Sequence, residues 1–286
     1  DPLWSRGLGD VYKRQARQHC SPCMISVTSA ELNTWIAAFL WPLTRIIGMI
    51  SVAPLFGNVS VPARVKIALG IMLALIISPT VPALPALDPM SLPGFLILAQ
   101  QLIIGLAIGF AMRITFAGVE MAGEITGMTM GLGFASFFDP QTRARSSAIS
   151  QFLALLTLMI YLATNLHLVV LSTLAQTFEL LPISSNFVSA GGMLEVVKWG
   201  GRIFSAGVQL SLPIVAALLI TNIALGILTR AAPQLNIFGI GFPITIGVGF
   251  IMIGIVLPYL MNPIINLMQE GIDAMGRITV AMTPLN

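Results

Sequence analysis

Long apolar runs alternate along the chain with short polar turns, a pattern that predicts helices buried in or crossing a membrane rather than the amphipathic elements of a soluble domain. The apolar runs cover residues 32–56, 67–81, 95–119, 148–175, 203–228 and 237–261. Each lies near the roughly 20 residues needed to span a hydrocarbon core of about 30 Å, with 67–81 the shortest. The turns at 57–66, 141–147 and 230–236 are polar, Pro79, Pro82, Pro85, Pro89 and Pro93 stiffen the second connection, and 176–202 is a longer polar stretch containing glycine. The predicted fold class is therefore all-α: an integral membrane protein of about six long apolar helical segments arranged in hairpins.

The stretch from Glu120 to Pro140 breaks the pattern. It is apolar enough to be buried, yet it contains Gly123, Gly127, Gly131 and Gly133, together with Met121, Met128, Met130, Phe134, Phe137 and Phe138. Each interior glycine costs a helix about 0.5–1 kcal/mol relative to alanine, so a merely lipid-facing helix has no use for them. In one reading, Gly123, Gly127 and Gly131 form a small-residue ladder that lets a neighbouring helix approach. In the other, Gly131-Leu132-Gly133-Phe134 is the tip of a loop, and Met128, Met130, Phe134, Phe137 and Phe138 form a deformable apolar seal, methionine being the side chain best suited to repacking.

Charge bears on this choice. If Arg64 and Lys66 are cytoplasmic under the positive-inside rule, Asp88 falls outside, and Arg143 and Arg145 fall inside only if residues 95–138 cross once. The expectation is that 120–138 doubles back as a re-entrant loop, and Arg230 then lands inside as well. Such backbone is tolerated at membrane depth only under a cover of protein or along a water-filled cavity. Arg45, Arg113, Glu120 and Glu124 are ionisable groups within or beside apolar segments, where pairing or function is the default expectation. Glu120 and Glu124, one helical turn apart, repel each other unless one is protonated or Arg113 is near.

Composition agrees with the pattern: 56% of the 286 residues are hydrophobic and only 9% charged, with a mean hydropathy of +0.92. Soluble domains carry roughly 25% charged residues. Residues 1–23 are set apart, because Asp10-Val11-Tyr12-Lys13-Arg14-Gln15 reads as the translation of a transposase sequencing adaptor; the native start is expected at Met24. Removing four of the 14 basic residues and two of the 11 acidic ones takes the formal charge from +3 to +1, so the basic balance implies no nucleic acid. Both cysteines, Cys20 and Cys23, lie upstream of Met24, which removes the C-x-x-C reading as well.

Three groups of residues together resemble a known family. They are Arg45-Ile46-Ile47-Gly48 with Ala53-Pro54-Leu55-Phe56-Gly57 and Val61-Pro62; Ala122-Gly123-Glu124 with Gly127, Met130-Gly131 and Asp139-Pro140; and Arg230-Ala231-Ala232-Pro233-Gln234-Leu235-Asn236-Ile237-Phe238 with Gly241-Phe242-Pro243. The chain resembles the FliR family, the R subunit of the flagellar type III export gate, over Met24 to about Arg277; residues 278–286 are left as a tail. The resemblance implies a non-enzymatic subunit without cofactor, in the bacterial inner membrane at the flagellar basal body. It further implies one copy of this chain assembled with P-type and Q-type subunits, adjoining B-type switch and A-type gate subunits, with unfolded flagellar proteins as the transported substrates. In that family the assembly is lifted partly out of the bilayer plane, and an apolar loop of this subunit lies inside the channel, matching 127–142 here. Arg230, Pro233, Gln234, Asn236 and Phe238 are then expected as a turn at a subunit interface. The segment from Met24 through Gly57 looks flagellar, although a paralogous role in a virulence-type system stays open.

Two other classes compete. A secondary transporter or ion channel would account for the intramembrane charges and a glycine-broken segment, but no convincing internal repeat accompanies them. An intramembrane enzyme lacks its chemistry: after Met24 there is no cysteine, no H-E-x-x-H and no paired aspartate motif, and His167 is expected as an interface or packing residue.

Overall fold

The computed structural model describes residues 28–58, 60–82, 85, 87–134, 147–232 and 237–284, with the side chains of 29, 30, 134 and 237–240 outside the description. Every regular element among the described residues is helical. Helix α1, Ser29–Val52, starts at a capping box in which Thr28 Oγ1 accepts the Glu31 amide and Glu31 Oε2 accepts the Thr28 amide. α2, Ala63–Ile77, returns antiparallel to it, with Ser78 Oγ donating to the Ala38 carbonyl at 2.6 Å and Gly70 lying against Ile47 and Leu43.

The organising element is α3, Leu92–Thr129, 38 residues in one helix. At a rise of 1.5 Å per residue it is about 57 Å long. Ser91 caps its start by accepting the Gly94 amide. Its lower half packs in parallel with α1, and the contact is backbone on backbone. A Cβ on Gly48 would lie 2.9 Å from the Leu102 carbonyl oxygen, one on Gly109 would lie 2.6 Å from that of Met49, and one on Gly105 would collide with the Arg45 carbonyl. This is the close approach that a GxxxG spacing permits.

The upper half of α3 meets α4, Ala148–Ala163, where Gly123 touches the Ser150 backbone. The chain then breaks at Asn165, whose φ of 56° is left-handed, and α5, Leu166–Leu180, departs at 71° to α4. The run read as one segment over 148–175 is thus a bent pair. Within the stretch read as a polar connection over 176–202, the structure places α6, Gly191–Gly200, which leads through Gly201 into α7, Arg202–Ala231. α8, Ile237–Ala281, has 45 residues, about 67 Å. It lies antiparallel to α3, as Gly249 against Met130, Leu267 against Gly118 and Gly271 against Thr115 require. It also runs through the boundary drawn at 277/278 as far as Ala281, and Ile278, Thr279 and, just past the helix, Met282 are buried, so 278–282 is packed and not a tail.

Among the described residues five helices are long and apolar enough to cross a membrane, six if the bent α4–α5 pair counts as one. They are covered unequally. Within the chain 56% of the most apolar 18-residue stretch of α3 is buried but only 11% of the corresponding stretch in the continuous 191–231 segment, and Phe204, Leu212, Ile220 and Ile227 of α7 are exposed.

The glycine contacts give a direct test. Gly105→Ala forces α1 off α3, which costs about 1–3 kcal/mol, whereas Gly226→Ala meets no atom within 4 Å and gains the helix roughly 0.5–1 kcal/mol. In detergent the two variants are expected to shift the melting temperature in opposite directions.

Candidate functional site

At its upper end α3 carries the Gly/Met/Phe stretch, and the structure resolves the two roles proposed for its glycines position by position. The helix does not double back at Glu120; it continues unbroken to Thr129. Gly123 and Gly127 serve helix packing. A Cβ on Gly127 would lie 2.8 Å from Ser147 Oγ, and Ser147 Oγ donates to the Gly123 carbonyl at 3.3 Å. Ser150 Oγ donates to the Glu120 carbonyl at 2.9 Å. Three seryl contacts thus stitch the start of α4 to the last turns of α3.

The turn comes at Gly131. Its φ of +86° is a conformation that costs an L-residue strain and glycine none. A short 3-10 turn, Leu132–Phe134, follows. Met128 projects outward, whereas Met130 is fully buried, its thioether seated on Gly249. A Cβ on Gly133 would meet Met128 Cγ at 3.9 Å, ordinary contact distance. Phe134 is described as backbone only, and Phe137 and Phe138 lie outside the described residues.

Of the predicted charges, Arg113 and Glu120 meet, Nη2 to Oε2 at 3.2 Å, on a half-exposed face where such a pair contributes about 0–1 kcal/mol. Glu124 joins neither: its Oε1 accepts the Ser147 amide at 2.6 Å, at the N-cap of α4, where a carboxylate also faces the positive end of the helix dipole. Arg45 stands apart, in the lower half of the molecule. It is fully buried, and among the described residues no carboxylate pairs with it. Its Nε donates to Gln101 Oε1 at 2.7 Å, Nη1 to the Thr177 carbonyl at 2.9 Å and Nη2 to the Leu181 carbonyl at 2.9 Å, while the guanidinium lies 4.3 Å from the Phe178 ring centroid. The charge therefore caps the C-terminal end of α5: the Thr177 carbonyl also accepts the Leu181 amide, the Leu181 carbonyl lies beyond the last helical bond, and the dipole is negative there.

Arg230 sits exposed in the last turn of α7. Pro233, Gln234 and Asn236 lie outside the described residues, and Phe238 is described as backbone in the first turn of α8. The C-terminal part of α7 and the start of α8 lie at the same end of the molecule as the Gly131 turn. A cavity of about 320 Å³ lies between them, lined by Thr129, Gly131, Asn222, Leu225, Gly241 and Phe242 among others. Sequence reasoning missed two ion pairs lower on α8: Arg202 with Glu270, joined at 2.8 and 3.0 Å, and Arg277 with Glu195 at 3.7 Å. Their partners are 68 or more residues apart on separate helices, so no local spacing signals them. Gln101, an amide inside an apolar run, was the available hint to the Arg45 site.

Arg45→Met is expected to leave the Leu181 carbonyl and the Gln101 side-chain oxygen without this donor, at about 1–3 kcal/mol for each buried group, while the Thr177 carbonyl keeps the Leu181 amide. Arg45→Lys, a point charge without the planar fork, should recover only part of that loss. Glu120→Gln should change stability by less than about 1 kcal/mol. Thermal unfolding of the three variants in one detergent ranks them.

Residues 36–271 match the family model described as bacterial export proteins, family 1. The chain is 38% identical over 260 residues to the flagellar biosynthetic protein FliR of Pectobacterium carotovorum subsp. carotovorum, covering 91% of this chain and 99% of that protein. It is 38% identical over 262 residues to FliR of Escherichia coli (strain K12), covering 89% and 100%. Against FliR of Bacillus subtilis (strain 168) it is 31% identical over 244 residues, covering 84% and 94%.

Proposed function

Because the chain belongs to the FliR family of bacterial export proteins, we propose that it is a non-enzymatic core subunit of the flagellar type III export gate. In this reading one copy assembles with P-type and Q-type subunits into a closed channel in the bacterial inner membrane, at the flagellar basal body. The B-type switch subunit and A-type gate subunit adjoin it, and unfolded flagellar proteins pass through.

The observation that carries the reading is the change of character at Gly131. Below it α3 is a rigid helix locked by glycine contacts to α1 and α4; at it the chain turns out of the helix with a left-handed glycine and enters the Met/Phe-rich stretch. A gate that passes an unfolded chain yet holds back ions and protons needs an apolar, compliant closure on a fixed support. Met128, Phe134, Phe137 and Phe138 supply apolar, repackable surface, Met130, named with them in the sequence, is buried against Gly249 as their anchor, and Gly131 and Gly133 supply backbone freedom. Gly127 belongs to the support, through its contact with Ser147.

The cover of the helices agrees with a life inside an assembly. Helices of about 57 and 67 Å exceed a hydrocarbon core of about 30 Å, so part of their apolar surface has to be covered by something other than lipid tails. The thinly covered α7 is the natural face for neighbouring subunits. Arg230, in the last turn of α7, suits an interface role together with the Pro233, Gln234, Asn236 and Phe238 motif that follows it in sequence.

Co-expression of the full chain with the P-type and Q-type subunits, with and without residues 131–137, tests the reading. Increased ion leak from cells whose complex still assembles is the expected result. Unchanged leak together with normal motility would remove the seal function.

A further inference from the structure

The Gly241-Phe242-Pro243 motif has no part in the function proposed so far, yet α8 meets the root of the Met/Phe stretch there at three points. The Phe242 ring closes over the Gly131 turn, so that a Cβ on Gly131 would lie 2.8 and 2.9 Å from two ring carbons. One turn on, Thr245 Oγ1 lies 3.2 Å from the Met130 carbonyl and 3.0 Å from the Phe242 carbonyl, within reach to donate its proton to either. One further turn on, Gly249 leaves a notch for Met130: the Cε, Cγ and Sδ atoms would stand 2.6–2.7 Å from a Cβ on that glycine.

The spacing 242, 245, 249 places the three on one face of α8. They grip two consecutive residues, Met130 and Gly131, where the helix ends. We infer that Phe242, Thr245 and Gly249 are positioning residues for the stretch that leaves α3 at Gly131, fixing the direction in which it departs. This inference rests on the seal reading above.

General core packing does not explain the arrangement. The cavity of about 320 Å³ runs alongside Phe242 and Gly131 and is lined further by Asn222, Leu225 and Gly226. A ring placed there only to fill space would occupy that volume; instead it lies against the glycine turn and leaves the cavity open. Met130 is likewise drawn inward and fully buried, while Met128 two residues before it is exposed. The grip of α8 thus falls on the root of the stretch, at the two residues that set its exit from the helix.

The test uses the full chain assembled with its P-type and Q-type subunits, reading ion leak, with native gels for assembly. Thr245→Val removes the hydroxyl at nearly constant volume, and Thr245→Ser keeps it. Leak is expected to rise several-fold in the first and stay at the wild-type level in the second. Phe242→Ala is expected to raise leak roughly tenfold, the effect of about 1.4 kcal/mol on a closed-to-open equilibrium. In a background with Cys20→Ser and Cys23→Ser, which removes both cysteines of the chain, Met130→Cys with Gly249→Cys supplies a tether across the notch. Oxidation of that pair is expected to reverse the leak of Phe242→Ala.

Assembled complexes of Thr245→Val and Phe242→Ala that leak no more than wild type, while the 131–137 deletion does leak, would overturn the inference and leave the seal reading standing. If the deletion does not leak either, the seal reading falls and this inference with it. Should Phe242→Ala fail to assemble, the Thr245 pair decides: equal leak from the valine and serine variants overturns the positioning role.

Discussion

How closely other helices approach α3 governs the rest of this fold. Helices in a lipid environment gain nothing from hydrophobic exclusion against one another, so their association depends on packing, interhelical hydrogen bonds and small residues that bring backbones together. α3 supplies such residues along its length and in different directions: Gly105 and Gly109 toward α1, Gly118 toward α7 and α8, Gly123 and Gly127 toward α4. A larger side chain at any of these would press only on the neighbour or, at Gly118, the two neighbours that it faces. The helix acts as a mast from which the remaining elements are hung at fixed heights.

Arg45 solves a problem that this arrangement creates. The 71° break between α4 and α5 turns the C-terminal end of α5 into the protein, where the Leu181 carbonyl lies beyond the last bond of the helix. A planar guanidinium with several donors reaches Gln101, Thr177 and Leu181 at once and rests against the Phe178 face. Carbonyl dipoles, an amide and an aromatic face take the place of a counter-ion. The same side chain links α1, α3 and α5, so the bend depends on a residue from another part of the chain.

The helices themselves were readable from hydropathy, because the apolar runs are long and the charges between them few. Their ends were less so. α3 runs ten residues beyond the apolar run ending at Val119, since Ala122, Gly123, Thr126 and Gly127 are buried against neighbouring helices and need not look hydrophobic. The break at Asn165 left little trace, as a single residue in left-handed conformation within apolar sequence carries no periodic signal. Glycine spacing showed that 120–133 is unusual but could not divide the work within it. Gly123 and Gly127 face Ser150 and Ser147, and Gly131 faces Phe242, more than a hundred residues away; only the packing separates a contact glycine from a turn glycine.

The length of α8 also bears on how the protein can sit in a bilayer. To place about 67 Å of helix wholly within about 30 Å of hydrocarbon would require a tilt of roughly 63°, well beyond the 0–40° of membrane helices. One end therefore has to leave the lipid. The sequence divides accordingly: 237–265 is almost wholly apolar, whereas the remainder carries Asn266, Glu270, Asp273 and Arg277. Pro258 and Pro263 lie next to that seam, inside a helix that continues through both. One continuous rod thus has two solvents, and the membrane surface is written into it partway along rather than at its end.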